Sequence, residues 1–286
     1  MRTFRKLDLS QVSIPNAVEE VDFERIVREM RDFVVARFPA LVGVIDLPSE
    51  PTRALIEAYA YREMMVRQRV NDAAKAGMLA YATGTGLDNL AAFYGIERMA
   101  GETDATFRAR IGLAPEALAT GGPAGAYRFF ALSVDPSLKD VSVLSPAPGQ
   151  VLVTLLSGSG DGSVAPEIVS RVLTALDAEE VRPLTDVVSV RPAQVLRYRI
   201  DARLSLYPGP DAEPIRQNAL AAASAYAKAR HMLGQDITLS GLHSALHQQG
   251  VQRVTVTTPA ELPLVVSPQQ VAFCEAIKVT VDGRDE

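Results

Sequence analysis

At Val141 the spacing of apolar residues switches from three or four positions to two, and no all-helical or all-β fold satisfies both halves. An α+β chain is expected: a mainly helical region over 1–137, then two small mixed α+β domains over 138–193 and 194–286. In the helical region, Val21, Phe23, Ile26, Met30 and Phe33 make one apolar stripe. Ser49 stands where it would cap a second helix opened by Pro51. The run 51–82 meets no glycine before Gly77, and as one helix it would extend about 48 Å, a length suited to a strut. Leu55, Tyr59, Val66, Val70 and Ala74 share one of its faces, while Arg53, Arg62, Arg67, Arg69 and Lys75 populate much of the rest. Short helices are expected over Leu87–Tyr94 with a stop at Gly95, from Thr103 onward, and over Pro123–Val134.

Beyond the switch, "VSVLS" and "QVLVTLLS" read as a hairpin around "PAPG". A helix over 165–180, strand "DVVSVRP" and a long alternating strand follow, the last with Leu196, Tyr198, Ile200, Ala202, Leu204 and Leu206 on one side. A helix over 213–232, a shorter one in "LSGLHSALHQQ", and strands "VQRVTVTT" and "AFCEAIKVTV" complete the pattern.

Basic residues number 29 against 34 acidic ones, with no long block of one sign, so no nucleic-acid partner is expected. No segment approaches the 18 or so apolar residues of a membrane span, and the N-terminus lacks the apolar core of a secretory signal. The chain is therefore expected in the cytosol, without a membrane partner. The single cysteine, Cys274, excludes an internal disulfide framework and a cysteine-based zinc site, and reads as a buried thiol in an apolar run.

The stretch "GSGDGS" at 158–163 is the strongest candidate for chemistry. Gly158 and Gly160 fit the start of a dinucleotide turn, but Ser163 replaces the third glycine and Asp161 puts negative charge where a phosphate would sit. No Lys-Ser or Lys-Thr pair makes it a P-loop, and the preceding strand is the second arm of a hairpin. It reads instead as a connection, with Ser163 or Asp161 capping the next helix. Ser159, Asp161 and Ser163 lack the acids of a calcium loop. His243 and His247 are four apart, as two zinc ligands would be, but Ser244 stands where a peptidase needs glutamate, and His231 is the only other histidine. The adjacent acids Glu19, Glu20 and Glu179, Glu180 are expected to be solvated. Arg182, Pro183 and Asp186 in "RPLTD" read as a helix-to-strand junction with a local Arg182–Asp186 pair or an Asp186 turn cap. No residue is assigned a catalytic, cofactor-binding or metal-binding role.

The order of "TGTGLDNLAAFYGIER", "RARIGLAPEALATGGPAGAYRFFALSVDPSLKDVSVLSPAPGQVLVTLL" and "RPLTDVVSVRPAQVLRYRIDARLSLYPG" resembles the baseplate J-like assembly proteins of contractile-tailed phages and phage-tail-like bacteriocins. The likeness runs from about residue 50 to the C-terminus. It implies a non-enzymatic wedge subunit without cofactors, assembled in the host cytoplasm and built into a tail baseplate. It also implies the partners: a second copy, met through core helices and through the C-terminal region, smaller wedge proteins, a central hub or spike, and sheath or tail-fibre proteins. The alternatives are a peripheral tail module binding carbohydrate or receptor, disfavoured by the absence of Trp and an aromatic share of 6%, and a nucleotide-binding enzyme using 158–163.

Overall fold

The computed structural model describes residues 9, 12, 13, 15, 18–119, 121–209 and 211–284. The chain divides into two compact units, Met1–Glu97 and Arg98–Glu286.

The first unit is helical. Helix α1, Phe23–Arg37, is capped by Asp22, whose carboxylate accepts the Arg25 amide. A 3-10 turn at Pro39–Leu41 leads on to α2, Pro51–Ala76. Glu50 caps α2, not Ser49: its side chain accepts the Thr52 amide and hydroxyl at 3.2 and 2.7 Å. A carboxylate one residue nearer the helix reaches the free amides and suits its positive end. The helix ends at Gly77, well short of 82, so its length is about 39 Å. Helix α3, Gly84–Ala92, begins three residues before the expected Leu87, and Gly95 turns the chain at φ 68°. Helix α1 packs along α2. Ile26, Ile56, Ala60, Leu87 and Ala91 are buried.

The second unit opens with α4, Asp104–Ile111, capped by Thr103, then a short α5, Ala114–Ala117, that the sequence reading did not foresee, and α6, Ala124–Leu132. Strands β1, Leu138–Leu144, and β2, Gln150–Ser157, form the expected antiparallel hairpin. Helix α7, Pro166–Leu176, stops four residues before 180, and β3, Val187–Pro192, returns parallel to β2. The hairpin arm is thus also the first strand of a βαβ crossover.

Strand β4, Gln194–Leu206, centres the second sheet, with β5, Val251–Thr258, antiparallel on one side and β6, Gln270–Arg284, parallel on the other. Helices α8, Ala212–Arg230, and α9, Leu239–Leu246, cover one face. The alternation read from β4 holds: Tyr198, Ile200, Ala202, Leu204 and Leu206 are buried with Ile215, Ala219 and Leu242. The first sheet has its own core, including Tyr127, Ala131, Val153, Leu155, Val172 and Leu176. Ala193 alone separates β3 from β4, and a small cluster of Leu156, Ala193 and Val271 joins the sheets.

Candidate assembly surfaces

Four of the six backbone amides in the loop 158–163 are spent on the fold. The Gly158 amide donates to Ser137 O at 2.8 Å, Ser159 to Ser157 Oγ, Gly162 to Ser159 O, and Ser163 to Asp161 Oδ1. A phosphate cradle needs such amides free and aimed outward. Neither Ser163 nor Asp161 caps α7, whose N-cap is Ala165 without a side-chain bond. Asp161 instead accepts from the Ser163 amide and hydroxyl, which together with Arg197 hold its carboxyl below the usual range. Its other oxygen meets Arg197 Nη2, on β4, at 2.5 Å.

Three further contacts bind the sheets at the same place. His231 Nε2 lies 3.2 Å from Asp161 O, Lys139 Nζ donates to His231 O at 2.7 Å, and the Leu233 amide donates to Asp140 Oδ2 at 3.2 Å. The loop is therefore a clasp between sheets. Burial, with Lys139 nearby, lowers the pKa of His231, and burial likewise lowers that of Lys139.

His243 and His247 are exposed at the end of α9, and among the described residues no group of His, Cys, Asp and Glu is placed to hold a metal ion. The Cys274 thiol is half-buried; burial pushes its pKa up, and it donates to Ala276 O. Glu19, Glu20, Glu179 and Glu180 are exposed as read, although Glu19 also meets Arg67 at 3.4 Å.

The glycine and proline motifs that sequence reading treated separately meet at one end of the first sheet. Gly122 has φ +58°, and a Cβ there would stand 2.6 Å from Pro183 Cδ, so the close approach of "TGGP" to "RPLTD" requires glycine. The Tyr127 hydroxyl donates to Asp186 Oδ2 at 2.8 Å, and the Val187 amide donates to Gly149 O at 2.7 Å, which adds the "PAPG" turn. Burial, then the Asp186 carboxylate, pushes the pKa of Tyr127 up. The expected Arg182–Asp186 pair does not form. Arg182 Nε bonds the Asp177 carboxylate at 2.7 Å, and its Nη1 reaches the backbone oxygens of Pro183 and Asp186. The carboxylate of Asp186 is committed to the hydroxyl of the buried Tyr127.

One buried ion pair carried no signal in the sequence reading. Arg110 donates to both oxygens of Glu102, at 3.0 and 2.7 Å, with side-chain exposures of 5% and 2%. The Met99 amide also donates to Glu102, and Arg98 and Arg110 lie over the Phe107 ring at 4.7 and 5.0 Å.

In the first unit the predicted stripe on α2 shares a face, but it is an outer one. Leu55, Tyr59, Val66 and Val70 are 60%, 67%, 62% and 58% exposed. The inward face is carried by Ile56, Ala60 and Asn71, about a quarter-turn away at 100° per residue. Asn71 explains the shift: its amide group donates to Glu19 O and accepts the Glu19 amide, so a polar residue is satisfied inside. Beside the stripe runs a groove of about 470 Å³ lined by Ile26, Met30, Phe33, Val34, Ile56 and Tyr59, with Glu29 and Glu63 at its edge. Phe33 is 61% exposed. Apolar side chains grouped in this way mark a contact surface more than a pocket for a small molecule.

A helical unit with its apolar stripe outward, followed by two small sheets joined by a clasped glycine loop, has the make-up of a structural protein. Family comparison makes this specific. The chain matches the Baseplate J-like N-terminal domain over residues 48–102, the Baseplate J-like central domain over 119–192, and the Baseplate J-like protein C-terminal domain over 198–280. The chain belongs to the baseplate J-like family. It is 39% identical over 300 aligned positions to "Baseplate protein J" of Escherichia phage P2, a match covering 98% of this chain and 99% of that one. Among the described residues no helix is long and apolar enough to cross a membrane.

Proposed function

We propose that this protein is a wedge subunit of a contractile-tail baseplate, pairing with a second copy and joining neighbouring wedges into a ring around the central spike hub. The observation that carries the reading is the outward stripe Leu55, Tyr59, Val66 and Val70 with the adjoining groove on α1 and α2. A second copy of the same helices supplies a matching stripe, and burying these side chains offsets the cost of leaving them in water. Full length agreement with a phage baseplate protein supports the setting. The functional division follows the sequence reading: 1–137 as the core of the wedge, 138–193 as a small α+β domain, and 194–286 as a second region of self-contact. Smaller wedge proteins, the hub, and sheath or tail-fibre proteins are the other partners. The protein is assembled in the host cytoplasm and ends in the virion tail or tail-like particle. No residue is assigned to catalysis, a cofactor or a metal.

Electron microscopy of particles made without the gene tests the role: tails lacking baseplates are expected, and complete particles would overturn it. Sedimentation of the purified chain tests the pairing. A Val66→Asp variant is expected to shift dimer to monomer, and an unchanged dimer would remove α2 from the contact.

A further inference from the structure

The groups that cross the clasp between the sheets are also satisfied from their own side. Asp161 crosses to Arg197 and keeps the Ser163 amide and hydroxyl at 3.1 and 2.6 Å. Arg197 keeps Glu275 on β6 at 3.5 Å. Asp140 takes the Leu233 amide on one carboxylate oxygen, and Arg128 of α6 and the Val141 amide on the other. The His231 ring stands edge-on to Phe273 of β6, with centroids 5.7 Å apart. Parting the clasp leaves Lys139 and the Leu233 amide to water, which both already border. No buried charge is orphaned, and it is that event which makes breaking an ion pair costly. The Glu102–Arg110 pair is the contrast, since both of its side chains are buried.

The other links between the sheets are slight. Ala193 alone lies between β3 and β4, and hydrogen bonds run up to it from both sides: its amide donates to Leu155 O at 2.9 Å, and that of Gln194 to Gln269 O at 3.0 Å. Each sheet has its own core under its own helices, α6 and α7 for the first, α8 and α9 for the second. The apolar contact between them is the small cluster Leu156, Ala193 and Val271, with Val195 and Leu233 against it. Ala193 belongs to that cluster, so a rotation centred there keeps Leu156 and Val271 together while the polar clasp opens. A small, mixed interface between bodies with separate cores is the usual setting of a hinge.

We propose that residues 194–284 turn as one body about Ala193, and that the 158–163 loop is a reversible latch holding one of two orientations, Arg197 passing from Asp161 to Glu275 alone as the latch opens. The second sheet thereby gains another orientation relative to the first without either unfolding. The hinge operates within a single copy and does not depend on the wedge reading. Asp161 and Arg197 are partly exposed, so salt screens their attraction and favours the released form.

Pulsed electron-spin distance measurement tests the hinge, with labels at Ser170→Cys in α7 and Ala225→Cys in α8 of a full-length Cys274→Ser chain. Both sites are exposed, and dilution with unlabelled chain confines the reading to distances within one copy. One dominant distance is expected at low salt, with a second growing as salt rises. Lys139→Ala, Arg197→Gln and His231→Ala together remove three crossing contacts and should lower the ratio of latched to released chain by about tenfold or more, with the circular dichroism unchanged. Arg199→Gln is the control, because Arg199 holds Glu275 without crossing, and its distances should match those of the parent. A single unshifted distance in the triple variant would overturn the hinge. A second distance that arises equally from Arg199→Gln, or only together with lost secondary structure, would overturn it as well. Pairing through α1 and α2 is read separately by the sedimentation of Val66→Asp, so the two readings fail independently.

Discussion

The two compact units solve the problem of apolar surface in opposite ways. In the unit beyond Arg98, β4 alternates strictly, and its inward side chains are closed over by α8 and α9. In the unit before it, the longest helix turns Leu55, Tyr59, Val66 and Val70 outward and buries Ile56, Ala60 and Asn71. One long element has its apolar face closed by the helices of its own unit; the other leaves its apolar stripe open. A helix can do this because one buried face, here Ile56 and Ala60 against α1, anchors it, while caps and i,i+4 pairs such as Arg53–Glu57 and Arg67–Glu63 add local support. A three-stranded sheet lacks that freedom and must cover one face to persist.

The largest expected effect probes the sheet-bearing region. Replacing Arg110 by Met leaves the Glu102 carboxylate buried without its cation, a loss of about 3–5 kcal/mol. Chemical denaturation should show it as an earlier transition. Replacing both, Glu102→Leu with Arg110→Met, should recover most of the loss. If the single variant were as stable as the parent, the pair would not be holding 98–111 together.

A proline at Val66 comes next. It removes an internal bond of α2 and clashes with the preceding turn, costing about 3 kcal/mol or more. Pairing through α1 and α2 should be lost while the region beyond Arg98 melts as before. Normal assembly by this variant would show that an intact α2 is not the lever or strut its length suggests. A milder change separates helix from face. Val66→Ser should move folding stability by only about 0.5 kcal/mol, yet weaken pairing, because the side chain is 62% exposed in the single chain. Equal effects on both would erase the contrast between the units.

Much of the fold was legible because periodicity reports which elements form. The β4 alternation, the short helix opening at Thr103 and the Gly95 stop all reappear, and the change of spacing read at Val141 falls inside β1. What periodicity cannot report is which partner an apolar stripe faces. The α2 stripe therefore gave the right residues without saying that they look outward. Side-chain commitments across long separations were equally hidden. Asp186 was free in sequence to choose Arg182, four residues away, and is instead taken by Tyr127, 59 positions earlier. Asp161 looked like a helix cap and became a tie to β4, while the parallel return of β3 beside a hairpin arm placed the glycine loop in a crossover that sequence reading had ruled against. The assembly surfaces were visible only as short motifs in order, since Gly122 and Pro183 acquire meaning when they touch.

The smallest effect is one of pH, and it also divides the two regions. All three histidines, His231, His243 and His247, lie beyond Arg98. Burial, reinforced by Lys139, depresses the pKa of His231 below its ordinary 6.5. The unfolded chain then binds a proton at a pH where the folded chain does not, so stability rises with pH through that interval. The neutral ring's contribution is complete above about 6.5 and is lost as pH falls toward the folded value. The denaturation midpoint of the sheet-bearing region should therefore drop modestly from neutral to mildly acidic pH, and His231→Gln should flatten the part due to the clasp. Pairing through α1 and α2, which carry no histidine, should stay level over the same range. A slope that survives His231→Gln would move its origin away from the Asp161 clasp, and a matching slope in the pairing would mean that the helical region senses the same proton.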